Sequence, residues 1–426
     1  MIPVAVIGVS CRFPGDADSP SKLWDLLQAR TNTWSHVPRD RYNEQAFLHP
    51  HADDANGSHN HVGGHFISGD VREFDNDFFS ISLQEAAAMD PQQRLLLETV
   101  YEALESAGQK ENKIRGSNTS VNVAMFTRDY DRNIFKDTLN LPRHQIVGNG
   151  EAILANRISH AFDLRGPSIT LDTGCSGGLV AVHQACQCLK LGDVDMAIAG
   201  AASLILSPDH QIGMSNLHML SADGRSYPFD SRGSGYGRGE GTAALVLKRL
   251  DRAVASGDPI RAVILGSAVN QDGRTTAGIT YPSGSAQTVL QQDLYKQLKI
   301  DPSSIAYVEA HGTGTIAGDR EEINALSKTF SGNRTSPLYV GSIKSNIGHL
   351  ESVSGLAGLI KGILILENSQ MAPNADFVRE KDGLRLKDRD IIVPDRVDAI
   401  PSSLSRVSVN SFGYGMIWAL QYANAI

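Results

Sequence analysis

Apolar runs of strand length recur along the whole chain, separated by stretches in which apolar residues return every three or four positions. Residues 4–8, 121–126, 196–202, 242–247, 262–268, 305–310 and 338–341 read as strands, with late ones near 391–393 and 406–412. Helical periodicity covers 23–28, 82–89, 152–158, 285–298 and 354–366. Asp90 followed by Pro91 marks the start of a further helix that Gly108 ends. Strands and helices alternate in both halves, so the class is α/β with parallel-rich sheets. No Pro- or Ser-rich linker divides the chain, and the halves 1–250 and 251–426 are expected to share one core.

The pattern is sharpest from 167 to 191. Ile169 and Leu171 alternate with Ser168 and Thr170 as a strand, the turn Asp172-Thr173-Gly174-Cys175-Ser176-Gly177-Gly178 follows, and apolar residues then cover nearly the whole surface of a helix. Cys175 thus sits between a strand end and the N-terminus of a buried helix. The positive end of the helix dipole favours thiolate over thiol, and the thiolate is the nucleophile. The glycines would admit a substrate carbonyl to the backbone N–H groups. A buried structural cysteine remains the competing reading of this stretch by itself.

Composition narrows the classes. At 41 % hydrophobic and 20 % charged residues the chain is of ordinary globular type. A net charge of −8 and the lack of a long basic run argue against nucleic acid. The N-terminus has no basic region and reads as a strand, and no apolar stretch approaches a membrane span, so neither a signal peptide nor a membrane role is expected. The four cysteines (Cys11, Cys175, Cys186, Cys188) fit neither a zinc spacing nor a disulfide framework, which suits a reducing, cytoplasmic compartment. Residues 36–70 are polar and carry His49, His51, His59, His61 and His65; with no accompanying carboxylate or cysteine scaffold they read as a solvated loop, not a metal site. The glycines of 233–241 precede a strand instead of following one, so close backbone packing or a mobile loop is preferred to a nucleotide loop.

His311 and His349 each follow a predicted strand in Gly-, Thr- and Asn-rich turns, as Cys175 does, and α/β proteins place their chemistry at such strand ends. A Cys/His/His site is the reading these three residues favour. At this point the sequence resembles the β-ketoacyl synthases, and in particular the ketosynthase region of type I polyketide synthases. The resemblance rests on IGVSCRFPG (7–15), MDPQQRLLLE (89–98), ANRISHAFDLRGPS (155–168), DTGCSGGLVAVHQA (172–185), GYGRGEG (235–241), NQDG (270–273), EAHGTGT (309–315), KSNIGHLE (344–351) and NSFGYG (410–415). The run FTRDYD (126–131) is similar to fungal reducing, iterative synthases.

The resemblance implies a thiolase-like fold of two similar βαβ-rich halves in a five-layered αβαβα core, and a homodimer. It implies decarboxylative Claisen condensation in polyketide or fatty acid elongation, an acyltransferase activity. Cys175 would hold the acyl thioester, and His311 and His349 would bind the malonyl thioester carbonyl. Lys344 and Glu322 match a buried ion pair that positions the second histidine. The backbone N–H groups of Cys175 and Tyr414 match an oxyanion hole, and Phe412, Thr313, Thr315 and Asn346 would line the pocket. No metal or resident cofactor is implied; the substrates ride on the phosphopantetheine of an acyl carrier protein, the expected partner.

The chain departs from the family after Gly415. Met416-Ile417-Trp418-Ala419-Leu420 stand where Gly-Thr-Asn-Ala-His is usual, and large residues for small ones predict a turn pushed out of place. That departure keeps open a non-catalytic partner subunit or an inactive fragment, and the chain reads as an excised condensing unit, a fragment or a free-standing synthase. A degradative thiolase would need a second, late cysteine, and none follows Cys188.

Overall fold

The computed structural model describes residues 2–50, 56–332, 334, 336–400 and 406–414, together with the backbone of 416–423. Eleven strands form one continuous sheet: β1 (Val4–Arg12), β2 (Thr119–Met125), β3 (Ser168–Leu171), β4 (Met196–Ser203), β5 (Gly241–Arg249), β6 (Ala262–Gln271), β7 (Ile305–Glu309), β8 (Leu338–Gly341), β9 (Ile391–Ile392), β10 (Arg406–Gly413) and β11 (Met416–Ala423). Their order across the sheet is β9-β8-β7-β10-β11-β6-β1-β5-β4-β2-β3. The two halves meet where Val4, Ala5 and Val6 pair with Ile264, Val263 and Ala262.

Both flanks pair in parallel: β7 with β8 and β10, β8 with β9, and β2 with β3 and β4. The middle of the sheet is antiparallel, from β10 through β11, β6, β1 and β5 to β4. The expectation of parallel-rich sheets therefore holds only for the flanks. Parallel neighbours need a crossover, usually a helix. β10 and β11 are instead antiparallel neighbours, with Gly413 paired to Met416.

Seven helices complete the layers: α1 (Pro20–Gln28), α2 (Pro91–Ser106), α3 (Glu151–Ala161), α4 (Gly177–Leu191), α5 (Gly284–Leu298), α6 (Ile316–Phe330) and α7 (Ser354–Asn368). Asp90 caps α2 by accepting the Gln92 N–H at 2.8 Å, with Pro91 in the first turn, as the sequence pattern required. Leu96 and Val100 of α2 and Leu154 and Ile158 of α3 pack on one outer face, against Val121, Val123 and Ile198. Tyr295 of α5 and Ile323 and Leu326 of α6 cover the other, against Ile305, Val308 and Val340. Between them lie α4 and α7, whose Leu179, Val182, Leu356 and Ile360 share a core with Ala199, Leu245, Ala306 and Val409. The result is a helix–sheet–helix–sheet–helix stack.

The middle layer explains the near-continuous apolar lettering of α4 and α7. Every residue of α7 from Ser354 to Leu366 is buried, so the helix has no solvated face. Its single charge in that run, Lys361, is fully buried and pairs with Glu309 at 2.9 Å, and the Tyr307 hydroxyl donates to the same carboxylate at 2.6 Å.

The segment 36–70 corrects the sequence reading. His59, His61 and His65 are buried, and burial pulls all three below the ordinary 6.5, His61 and His65 to about 3. The His59 and His61 rings lie 4.3 Å apart, and the Nδ1 of His65 meets the Thr33 hydroxyl at 3.0 Å. These histidines are packing residues that a polar local sequence disguises; His51 lies outside the described residues. Among the described residues no helix is long and apolar enough to cross a membrane.

Candidate active site

β3 delivers the chain to a tight turn. Gly174 adopts φ +59°, and its N–H is taken by the Asp172 carboxylate at 2.9 Å. One 3-10 turn, Gly174–Ser176, then presents Cys175 and leads into α4. A side chain at Gly178 would lie 2.7 Å from the Ser352 carbonyl, so only glycine lets the start of α4 seat against the turn at 351–353. That contact brings the Cys175 sulfur to 3.7 Å from Glu351 Oε2. From the opposite side, the Ser411 hydroxyl on β10 donates to the Cys175 carbonyl at 3.0 Å.

Burial, and after it the Glu351 carboxylate, push the Cys175 thiol well above its ordinary range, with the nearby Lys344 ammonium opposing them. The helix terminus alone therefore does not keep a resting thiolate, contrary to the expectation from the sequence. Desolvation of an anion outweighs a half-charge dipole when the group is fully enclosed.

His311 leaves the end of β7. The Glu322 carboxylate on α6 accepts the N–H groups of His311 and Gly312, each at 2.8 Å, and the Lys344 ammonium donates to the His311 carbonyl at 2.5 Å. The resemblance implies that Lys344 and Glu322 form a buried ion pair positioning the second histidine. Among the described residues they make no ion pair within 4.0 Å, and both grip the backbone of the first histidine. The physical reason is that the peptide group carries both a donor and an acceptor, so the two charges are each satisfied by His311 itself. Burial pushes the Glu322 carboxyl up and the Lys344 ammonium down.

His349 is held by backbone alone on one side: its N–H donates to the Gly237 carbonyl at 2.7 Å, and its carbonyl accepts from Gly239 at 2.8 Å. A side chain at Gly239 would come within 2.6 Å of the Ile347 carbonyl, which is the close packing expected of the glycine run. The two imidazoles stand edge to face, their centroids 5.6 Å apart. Each has its Nδ1 occupied as an acceptor, in His311 by the Phe412 N–H at 3.2 Å and in His349 by the Glu351 N–H at 2.9 Å. In a neutral imidazole this leaves the proton on Nε2. Burial keeps both rings neutral, His311 well below the ordinary 6.5 and His349 at about 4.

Cys175, His311 and His349 open onto one cavity of about 330 Å³, which Phe412, Thr313 and Thr315 also line. Asn346, expected in that lining, is absent from it: its amide donates to the Thr31 carbonyl at 3.0 Å, and its carbonyl oxygen takes the Ser345 hydroxyl. It fastens the 344–349 segment to the start of the chain. Tyr414, at the turn between β10 and β11, borders the cavity beside Gly174. The side chains of Met416, Ile417 and Trp418 lie outside the described residues. A larger cleft of about 1300 Å³ beside β1 shares none of these residues.

Three further residues escaped the sequence reading. The Tyr236 ring lies 4.6 Å from that of His349, tilted by 34°. Arg238, fully enclosed, donates to Glu351 Oε1 at 2.9 Å. Glu351 itself is 0 % exposed and contacts the thiol. The signal was present: Gly237-Arg238-Gly239 sets a charged side chain inside a close-packed glycine run. The sulfur, one His349 nitrogen and one Glu351 oxygen lie within 4.8 Å of one another, a spacing that could hold a metal ion, although Arg238 already occupies the other Glu351 oxygen. Chemically, a thiol with a carboxylate beside it and two neutral N–H donors suit acyl transfer followed by stabilisation of an oxyanion.

Residues 1–253 match the family described as Beta-ketoacyl synthase, N-terminal domain, and residues 261–378 match its C-terminal domain. This chain belongs to the β-ketoacyl synthase family. Its similarity extends to highly reducing polyketide synthases, with 58 % identity over 418 residues to one from Stachybotrys chartarum and 60 % over 417 residues to one from Sordaria araneosa. Those matches cover 97 % of this chain but only 18 % and 14 % of the relatives, so the chain spans less than a fifth of their length. Among solved structures it is similar to a ketosynthase from module 6 of the bacillaene synthase of Bacillus subtilis. The TM-score is 0.92 at 34 % identity, covering 100 % of this chain and 72 % of that one. A Streptomyces albus oxazolomycin ketosynthase domain gives a TM-score of 0.93 at 32 % identity, over 99 % and 75 % of the two chains. The chain thus has the thiolase-like fold and belongs to an acyltransferase family.

Proposed function

We propose that this chain is the condensing unit of a polyketide synthase, joining an acyl group held on Cys175 to a malonyl unit with loss of carbon dioxide. The carrying observation is the pair of neutral imidazoles, each with Nδ1 capped by a backbone N–H, facing the same cavity as the buried thiol. In the first half-reaction the Cys175 sulfur attacks an acyl thioester, a new C–S bond forms and the carrier thiol departs. In the second, the carboxylate of a malonyl thioester leaves as carbon dioxide, and its bonding electrons pass into an enolate. The Nε2–H groups of His311 and His349 donate to that enolate oxygen, worth several kcal/mol in an enclosed site. The enolate carbon then attacks the Cys175 thioester and the C–S bond breaks. The N–H groups of Cys175 and Tyr414 serve the acyl oxygen.

In this reading residues 1–250 supply the nucleophile and 251–426 the histidines, and the substrates arrive on the phosphopantetheine arm of an acyl carrier protein. A homodimer in the cytoplasm completes it. Four free cysteines support the compartment. The edge position of β3, where Ile169 is 47 % exposed, supports the pairing. The test is to supply an acyl thioester and a malonyl carrier thioester and follow the β-ketoacyl product. Cys175→Ala abolishes product while leaving the thermal transition in place; product formation by that variant would remove the proposal.

A further inference from the structure

The geometry points to Glu351 as the proton acceptor for the Cys175 thiol, held in place by Arg238. This rests on the reading above, in which Cys175 takes the acyl chain, and adds a residue to it.

A buried thiol must lose its proton as it attacks, and burial keeps that proton on in the resting state. The two imidazoles are poor candidates to take it. Each accepts a backbone N–H at Nδ1 and so carries its own proton on Nε2, with no free lone pair in the neutral ring. Lys344 is spent on the His311 carbonyl. Among the described residues, the acceptor in hydrogen-bond contact with the sulfur is Glu351 Oε2, at 3.7 Å.

Glu351 is also set up unlike an ordinary surface carboxylate. It is 0 % exposed, and its backbone sits at φ +49°, a left-handed conformation that costs a non-glycine residue free energy. Its other oxygen is fixed by Arg238 at 2.9 Å, and Arg238 is oriented in turn by Gln211. Its own N–H sets the tautomer of His349. One residue therefore faces the nucleophile with its side chain and one enolate donor with its backbone. A strained position held by a buried ion pair is typical of a functional constraint.

The step balances without redox change. As the Cys175 sulfur bonds to the acyl carbon, its proton passes to Glu351 Oε2. The bond between the acyl carbon and the carrier sulfur then breaks, and the departing thiolate recovers the proton from Glu351. Cys175 ends as a thioester, the carrier as a free thiol and Glu351 as a carboxylate again paired with Arg238.

The test is the rate of acyl loading from a small acyl thioester, read by protein mass between about pH 7 and 9. The charged and titratable groups facing the pair are Arg238, Lys344, His311, His349, Tyr236 and Tyr414. A proton passed to Glu351 within the step makes loading by the unaltered chain flat across this range. A thiolate that must form first by losing its proton to solvent makes it rise about tenfold per pH unit, which overturns the inference. Glu351→Gln lowers loading about a hundredfold near pH 7 and introduces that tenfold slope, while Glu351→Asp recovers part of the rate. Glu351→Gln loading as fast as the unaltered chain would also overturn it. The flat profile needs no variant, so a Glu351→Gln chain that fails to fold leaves the inference testable. Loading that survives Cys175→Ala instead removes the proposed function itself.

Discussion

At the scale of single residues, the proposed reaction needs two neutral imidazoles that line one cavity. His349 is held at about 4 and His311 well below the ordinary 6.5, so neither gains a proton near neutrality. Carbon dioxide release from a malonyl thioester should therefore show no loss between about pH 7.5 and 6.5 from imidazole protonation, which steady-state release across that range checks. Replacing either histidine by alanine is expected to lower carbon dioxide release by about a hundredfold or more and acyl loading by much less. Equal loss of both would assign a histidine to the thiol instead. These histidines and Cys175 were legible in the sequence because each sits in a small-residue turn directly after an apolar run. Arg238 and Glu351 were not, because their partnership joins positions 113 residues apart and no local pattern encodes it.

At the scale of elements, α7 and β10 hold the site from behind. The Lys361–Glu309 pair is enclosed on both sides, and Glu309 also accepts the Ile343 N–H at 2.6 Å, just before the Lys344 that holds His311. Breaking it from one side strands a buried charge, so Lys361→Met should cost about 3–5 kcal/mol by denaturant unfolding, more than the Lys361→Met/Glu309→Gln pair of changes. The alternation of strands and helices gave these elements from sequence almost to the residue. It did not give α6, which carries Glu322, or β11. Met416–Ala423 read as a departure from the family, yet its backbone pairs in register with β10 from Arg406↔Ala423 to Gly413↔Met416. Strand pairing depends on backbone groups, which any of these residues supplies. Restoring Gly-Thr-Asn-Ala-His at 416–420 is expected to raise condensation more than acyl loading, measured side by side. Equal condensation in both chains would mean that the segment is tolerated.

At the scale of the whole molecule, one sheet wraps two buried helices, and Cys175, His311 and His349 gather where the strand ends of both halves meet that middle layer. Such enclosure leaves several histidines neutral, with His61 and His65 at about 3 and His183 and His349 at about 4. Below their ordinary 6.5 the unfolded chain binds protons that the folded chain refuses. Stability is therefore complete above about pH 6.5 and lost as pH falls towards 4, each histidine adding a slope of about 1.4 kcal/mol per pH unit. Urea unfolding at stepped pH checks the sign, and a midpoint that rises on acidification would contradict it. The polar lettering of 36–70 hid this contribution, since burial of its histidines is decided by tertiary packing alone. The central claim concerns one sulfur, and mass spectrometry of the chain after incubation with an acyl thioester tests it most directly. Cys175, Cys186 and Cys188 share one stretch with no Lys or Arg between Gly166 and Leu189, so fragment ions locate the label. The account predicts one acyl group, on Cys175, retained in Cys186→Ala and Cys188→Ala and lost in Cys175→Ala. An acyl group that persists in Cys175→Ala would contradict it.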